Sequence, residues 1–437
     1  MPKANGIFEI AYAAASGRLC LFTGTGFSKA VTDGQAPTWQ GLLEAVCEPL
    51  PKKDELLVAL FPRDHPHPLA MEEAAQVLQL ELRKLGRDIY TDIAAQVSGL
   101  TLGKGNEPIQ AFLSKHELSA ITTNYDKLLE QLAGLQACHS LTPGLPVPRS
   151  KARITVYHVH GSVDSPDNMV VTSEDYFRFI NGQSYFSRKL STILHENTVV
   201  ILGYSLGDTN LKAILSDYKG FSRAQVLGSN IFLVSREAVS PHIKDYYAHC
   251  FGIRVIDEME VVDFFAEVNA DLPSAEKVER SVENIRNVIQ NKHVSYASAY
   301  LKLEHSFYEI VASIGATGMS INDSKVVATL GRVLDDKTKL TGDDGAWEQY
   351  EHLAKWLVYL ASILELRGTA IEASFLAASK RSMDTMASNW KRGYSWGAYK
   401  AWAHQWPSIL VSNRILIKAF ILANEPTSDA LAVVSRD

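Results

Sequence analysis

The chain carries only four cysteines, Cys20, Cys47, Cys138 and Cys250, and no two lie close together. That spacing excludes a disulfide-scaffolded fold and a Cys-x-x-Cys metal knuckle. No stretch of about 18 residues stays apolar without polar interruption, so no membrane span is expected. The N-terminus, MPKANGIFEI, lacks the long apolar core of a secretory leader, and a soluble cytoplasmic protein is expected. Positive charge is not in excess either. The 43 Lys and Arg face 49 Asp and Glu, a formal net charge of −6. A protein that coats nucleic acid is thereby disfavoured, and direct nucleic-acid binding is not expected. What is present is a chain of 437 residues that is 46% hydrophobic and 21% charged. Such a composition folds, and that length suits two domains.

The first part alternates between short apolar runs and helical spacing. RLCLFTGTGFS at 18–28 reads as a strand breaking into a glycine-rich turn. Helical patterns follow at 37–50, 71–96 and near 107–115, the second with Met71, Ala74, Ala75, Leu78 and Leu82 on one side. LSAITTN is a strand entering a turn, and YDKLLEQLAG a helix ended by glycine. ITVYHVHG alternates and stops at Gly161. TSEDYFRFI and 184–195 read as helices, NTVVILGYSL as a buried strand, and DTNLKAILSDY as a helix starting near Asp208 or Thr209. SNIFLVS and FGIRVID supply two more strands around a helix at 241–250. Strands followed by helices at this interval predict an α/β fold, a Rossmann-like parallel sheet with helices on both faces. The helical excursion between the first two strands predicts an inserted helical module.

Beyond about residue 270 the alternation ends. Helical spacing continues in EKVERSVENIRNVIQNKH, LKLEHSFYEIV and HLAKWLVYLASILELRG, and six of the seven tryptophans lie here. The expected division is an α/β domain over 1–270 and an all-helical C-terminal domain over 280–437. Most of the tryptophans are expected in its core, and some in an oligomer interface. Lys380, Arg381, Lys391 and Arg392 read as a solvated face.

In open parallel sheets, ligands bind outside the carboxyl ends of the strands. Four such ends carry glycine or chemistry: Gly24 and Gly26; Asn124 and Asp126; His158, His160 and Gly161; Gly203 and Ser205. Each has a plain reading beside the functional one. The glycine loop GTGFS lets a backbone approach a pyrophosphate, yet Lys29 stands where the dinucleotide fingerprint GxGxxG needs its third glycine. Alone it is as well read as a tight turn. Thr123 or Asn124 serves equally as the cap of the next helix. His160 reads also as a locally bonded turn histidine. His158 shares its strand parity, and only one of the two need be functional. GYSLG matches GxSxG literally, which would make Ser205 a hydrolase nucleophile, but the candidate histidine precedes the serine, whereas that fold places it last.

Taken together, the four blocks resemble the sirtuin family, in its bacterial SIR2-like branch, over roughly residues 8–265. GTGFS at 24–28 is similar to the family's GAGxS loop, which wraps the pyrophosphate of NAD. The resemblance thus implies dinucleotide binding by Gly24, Thr25, Gly26, Phe27 and Ser28. TTNYD at 122–126 is similar to the TxNxD block, placing Thr123 in the pocket, Asn124 at the nicotinamide-side ribose and Asp126 in support. HVHG at 158–161 is similar to the catalytic HG and implies that His160 is catalytic. GYSLGDTN at 203–210 is similar to the GxSL block, with Gly203 and Ser205 near the adenosine ribose and phosphates.

Two departures separate the chain from the family's deacetylases. Those carry a four-cysteine zinc module between the HG and GxS blocks, whereas no cysteine lies between 139 and 249 here. They also continue the first loop into a Pro-Phe-Arg element, where this chain has Ala36-Pro37-Thr38-Trp39. The resemblance therefore implies an NAD+ hydrolase (NADase) of antiphage defence, releasing nicotinamide and ADP-ribose, with NAD+ as substrate and no metal. It further implies a homo-oligomer, or a partner ATPase or phage-derived activator. A nucleotide-binding scaffold without turnover is the alternative, and an NAD-dependent protein deacylase the third. NAD binding without nicotinamide release would mark the scaffold, and release that depends on an acyl-peptide the deacylase.

Overall fold

The computed structural model describes residues 3–149, 151–181, 185–204, 231–280, 287–290, 295–316, 323–343 and 346–436, with single residues 215 and 319. Seven parallel strands form its sheet: β1 (Leu19–Thr23), β2 (Leu118–Thr122), β3 (Cys138–Leu141), β4 (Ile154–His158), β5 (Thr198–Leu202), β6 (Ile231–Val234) and β7 (Ile253–Ile256). Their order across the sheet is β3-β4-β2-β1-β5-β6-β7. Central strands such as β1, with LCLFT wholly buried, are apolar throughout because both faces are covered. The edge strand β3 escapes sequence reading. CHSL buries only Leu141, so it shows neither an apolar run nor an alternation.

Topology, rather than any one motif, creates the site. From β1 the chain moves to β2 on one side and returns to β5 on the other, so β1 lies between them. In register, Thr23 faces Thr122 on β2 and Leu202 on β5, and Thr122 faces His158 on β4. Four segments far apart in sequence thus leave the sheet side by side, at the point where strand order reverses.

Helix α1 (Lys3–Ala15) packs beneath the sheet, and α2 (Thr25–Val31) follows β1 with only Gly24 between. Four helices, α3 (Trp39–Val46), α4 (Lys53–Leu60), α5 (Met71–Lys84) and α6 (Ile89–Ser98), make the expected helical insertion. Its core of Leu43, Leu78, Ile89 and Ile93 closes on Tyr125, Met169 and Val171, so the module roofs the strand ends. Helix α7 (Glu107–Lys115) leads into β2, and α8 (Leu128–Ala133) leaves it. Helices α9 (Ser173–Asn181) and α10 (Tyr185–Glu196) precede β5. The stretch DTNLKAILSDY lies mostly outside the described residues. The helix Val261–Glu279 runs past residue 270 and buries Phe264 and Phe265 in the core beneath the sheet, with α1 and α7.

From residue 298 onward the described elements are helical. Phe307, Trp356, Tyr359, Trp402 and Trp406 centre their core, with Phe307 stacked on Trp356 at 4.9 Å between ring centres. Of the six tryptophans, three are therefore core residues, while Trp347, Trp390 and Trp396 are exposed. The two halves meet at a buried joint. Glu9 of α1 accepts from both Arg254 terminal nitrogens at 2.9 and 2.6 Å and from the Tyr359 hydroxyl at 2.7 Å. The Arg254 guanidinium lies 4.1 Å from the Phe232 ring centre.

Candidate active site

Gly24 and Gly26 are glycine for a steric reason visible in the structure. The N–H of Gly24 donates to Leu202 O at 3.1 Å and that of Gly26 to Gly203 O at 2.7 Å. A Cβ on Gly26 would stand 2.8 Å from the Gly203 Cα, and one on Gly203 would stand 1.9 Å from the Phe27 nitrogen. Gly203 also has φ +59°, a conformation that side chains resist. The ends of β1 and β5 therefore interlock backbone to backbone. Among the residues expected at the dinucleotide, Thr25 opens α2 and Phe27 is buried beneath it. Ser205 lies outside the described residues.

Ser28, one turn into α2, reaches the second strand end. Its hydroxyl donates to Asp126 Oδ2 at 2.7 Å and accepts from Asn124 Nδ2 at 2.8 Å. Three residues from two predicted blocks, 96 and more positions apart, thus form one polar cluster. Burial pushes the Asp126 carboxyl above its ordinary range, against the opposing pull of its bond from Ser28. Asp126 also meets the start of the next helix, its Oδ1 accepting from the Leu128 N–H at 3.1 Å, while the cap position itself is Lys127, whose side chain makes no cap bond. The sequence pointed to Thr123 or Asn124 for that cap. The helix instead starts at Leu128, too late for either. Thr123 bonds through its backbone to Thr23 O at 3.3 Å, and Asn124 N–H donates to Thr122 Oγ1 at 3.1 Å.

The histidines part company. β4 ends at His158, so strand alternation no longer governs His160. His158, wholly buried, turns to Glu130 on α8, with Nε2 2.8 Å from Oε1. His160 packs edge-on against Tyr176 and Phe179 of α9 at 5.3 and 5.6 Å. A turn then follows at Gly161, φ +85°, where a Cβ would stand 2.8 Å from the Met169 Cα. Tyr125 ties this turn to the Asn124 segment. Its carbonyl accepts from Val163 N–H at 3.0 Å, its hydroxyl donates to Val170 O at 2.7 Å, and Val170 N–H donates to His160 O at 2.8 Å.

Glu130 was not singled out by sequence reasoning. It sits one helical turn after Asp126, in the helix already predicted, and an acid at that spacing faces the same side. Its burial pushes the carboxyl up. Bonding and charge from His158, the charge of Lys127 and the Ser140 hydroxyl outweigh that and hold it at about 2. Lys127 Nζ lies 2.9 Å from Glu130 and 2.7 Å from Asp164.

Parts of the chain are similar in sequence to known proteins. Residues 118–256 match the model of the SIR2-like domain. The match to the SIR2-like domain begins at β2, so it takes in the Asn124 and His160 segments but not the glycine loop. Defense-associated sirtuin 2 of Bacillus subtilis is 23% identical over 266 residues, 59% of this chain and 25% of that protein. NAD(+) hydrolase ThsA of Enterococcus faecium is 32% identical over 112 residues, 22% of each chain. Its namesake in Bacillus cereus is 24% identical over 192 residues, 42% of this chain and 39% of the relative. The chain therefore spans well under half the length of these relatives. Among the described residues, no cluster of His, Cys, Asp or Glu is arranged to hold a metal ion, and no helix is long and apolar enough to cross a membrane.

Proposed function

We propose that the strand-end cluster binds NAD+ and hydrolyses it to nicotinamide and ADP-ribose, as part of antiphage defence. One observation carries the reading: the Ser28 hydroxyl bonds both Asn124 and Asp126, which ties the glycine helix to the TTNYD turn. The names borne by the relatives support it, since three of the comparisons are to NAD(+) hydrolases or a defence-associated sirtuin.

The chemistry asks little of an acid. Nicotinamide leaves as a neutral ring from a cationic one, so the barrier lies in stabilising an oxocarbenium-like ribose and placing a water. Asn124 supplies an amide that binds a ribose hydroxyl or that water without adding charge. His160, between aromatic rings, is the base that takes a proton from the hydroxyl or the water. Asp126 holds Ser28 and the turn, and contributes negative charge near the developing cation. Gly24, Thr25, Gly26 and Ser28 hold the phosphates, and Gly203 with Ser205 takes the adenosine side. The helical half assembles further copies of the chain, or meets the partner ATPase or phage-derived activator that signals infection.

Incubation with NAD+ and chromatographic detection of nicotinamide tests the activity. Release is expected from the wild type, alone or with the neighbouring gene products, and none above background from Asn124→Ala or His160→Ala. Undiminished release from both variants would remove the cluster from the mechanism. Mass measurement of the purified protein, alone and with those gene products, reads the assembly.

A further inference from the structure

The His158 ring is wholly buried, so it touches no substrate, yet both of its nitrogens have partners that can only accept. Nε2 lies 2.8 Å from Glu130 Oε1, and Nδ1 lies 3.2 Å from the backbone carbonyl oxygen of Asn124. A neutral imidazole donates from one nitrogen only. Both bonds form together when each nitrogen carries a proton. Resting on the reading of the cluster as the NAD-cleaving site, we infer that His158 and Glu130 form a buried ion pair whose cationic ring positions Asn124 for the reaction.

Glu130 is equipped for that part. Three donors from three elements converge on its Oε1: His158 at the end of β4, Lys127 before α8 and Ser140 on β3. The carboxylate therefore keeps its charge in the interior. The charged groups facing the ring are Glu130 and Asp126, with Lys127 beyond Glu130 and Asp164 beyond Lys127. A charge-assisted bond is about twice as strong as a neutral one. Asn124 is consequently fixed at three points: its carbonyl by His158, its N–H by Thr122 Oγ1 and its side chain by Ser28. The missed edge strand β3 gains a purpose, because it delivers Ser140 to Glu130.

Two measurements test the pair. The first is nitrogen NMR of protein with 15N-labelled histidine rings, with the His158 signals assigned by their loss in His158→Gln. Two protonated ring nitrogens near neutral pH are expected in the wild type, and one in Glu130→Gln. A singly protonated wild-type ring overturns the ion pair whether or not the protein cleaves NAD+. The second is steady-state nicotinamide release. Glu130→Gln is expected to lower kcat up to about 100-fold with KM nearly unchanged, the scale of a small misplacement of a reacting group. His158→Gln, which still donates to the Asn124 carbonyl, recovers part of the loss seen in His158→Ala. Ser140→Ala removes one donor from Glu130 while leaving the pair in place, and so keeps the test open where a charge variant fails to fold; a drop of about threefold to tenfold, the scale of one hydrogen bond, is expected of it. Unchanged kcat in Ser140→Ala and Glu130→Gln overturns the positioning role. A wild type that releases no nicotinamide instead defeats the proposed function, and the nitrogen spectra still decide the pair.

Discussion

The sheet half and the helical half both bury polar side chains, but they satisfy them differently. In the helical half these groups bond mainly to backbone. Asn413 donates to Ala361 O and Leu364 O at 2.8 and 2.6 Å and accepts from Leu366 N–H at 3.0 Å, closing a helix end. Lys337, wholly buried, donates to Leu301 O at 2.8 Å and Gln349 Oε1 at 2.7 Å, with the Trp356 ring centre at 4.2 Å. At the strand ends of the sheet half, side chains bond to other side chains: Ser28 to Asn124 and Asp126, His158 to Glu130, Lys127 to Asp164. Side chain–side chain bonds are the minority class in folded proteins. Bonding to backbone finishes an architecture. Bonding among side chains from the segments that end β1, β2 and β4 holds chemical groups at fixed spacings, as a site requires.

The largest expected effect sharpens the contrast from the helical side. Trp402, wholly buried with its indole N–H donating to Ser382 at 3.0 Å, should lose about 3–5 kcal/mol of stability on change to alanine. Denaturant unfolding measures the loss, and nicotinamide release by the fraction still folded should match wild type. A pH series separates the halves next. Glu130 is held at about 2 in the folded state against an ordinary 4.5, so the unfolded chain takes up its proton first as pH falls. The stabilisation is complete above pH 4.5 and disappears as pH drops towards 2. Lys337 runs the other way. Burial pulls its ammonium down from 10.5 to about 7, so between those values the unfolded chain holds more protons and stability climbs with pH. Unfolding midpoints for Glu130→Gln and Lys337→Met should flatten the acid and alkaline limbs respectively, and each should leave the other limb intact.

Asn124→Ala comes next. Nicotinamide release should fall by about 100-fold or more while the thermal midpoint stays close to wild type, because the half-buried side chain contributes one bond to the fold. A large loss of stability instead would class Asn124 with the architectural group. The smallest effect is expected of Trp390, which is 97% exposed. Trp390→Ala should shift unfolding by no more than about 0.5 kcal/mol. A greater change in self-association than in stability, read by sedimentation, would identify its loop as the place where copies or partners meet.

Six of the seven strands were legible because a buried parallel strand is an apolar run, and runs such as LCLFT and TVVIL survive any context. The seventh presents Ser140 to Glu130 and buries little, so no run betrays it. For the candidate site, the strand-end positions were legible and the hydrogen-bond network that joins them was not. Chain order places Asn124 and Asp126 at a strand end, yet only the crossing from β1 to β2 and back to β5 brings Ser28 to them. Strand parity does not govern the second histidine, because a strand's alternation holds only as far as the strand does, and β4 ends at His158. Glu130 stood in plain view at the end of ITTNYDKLLE, but a glutamate in a helix reads as a solvated face until the fold buries it.

The joint of Glu9, Arg254 and Tyr359 bears on how such a chain can be taken apart or recombined. Its three groups come from the first helix, the last strand and the helical half. A cut near residue 280 would take away the Tyr359 hydroxyl and uncover a carboxylate–guanidinium pair built for an interior. Grafting a foreign C-terminal half would ask the newcomer to present one phenol at the right depth. The two halves are thus poor candidates for independent exchange, and any replacement of the helical half would have to rebuild this corner first.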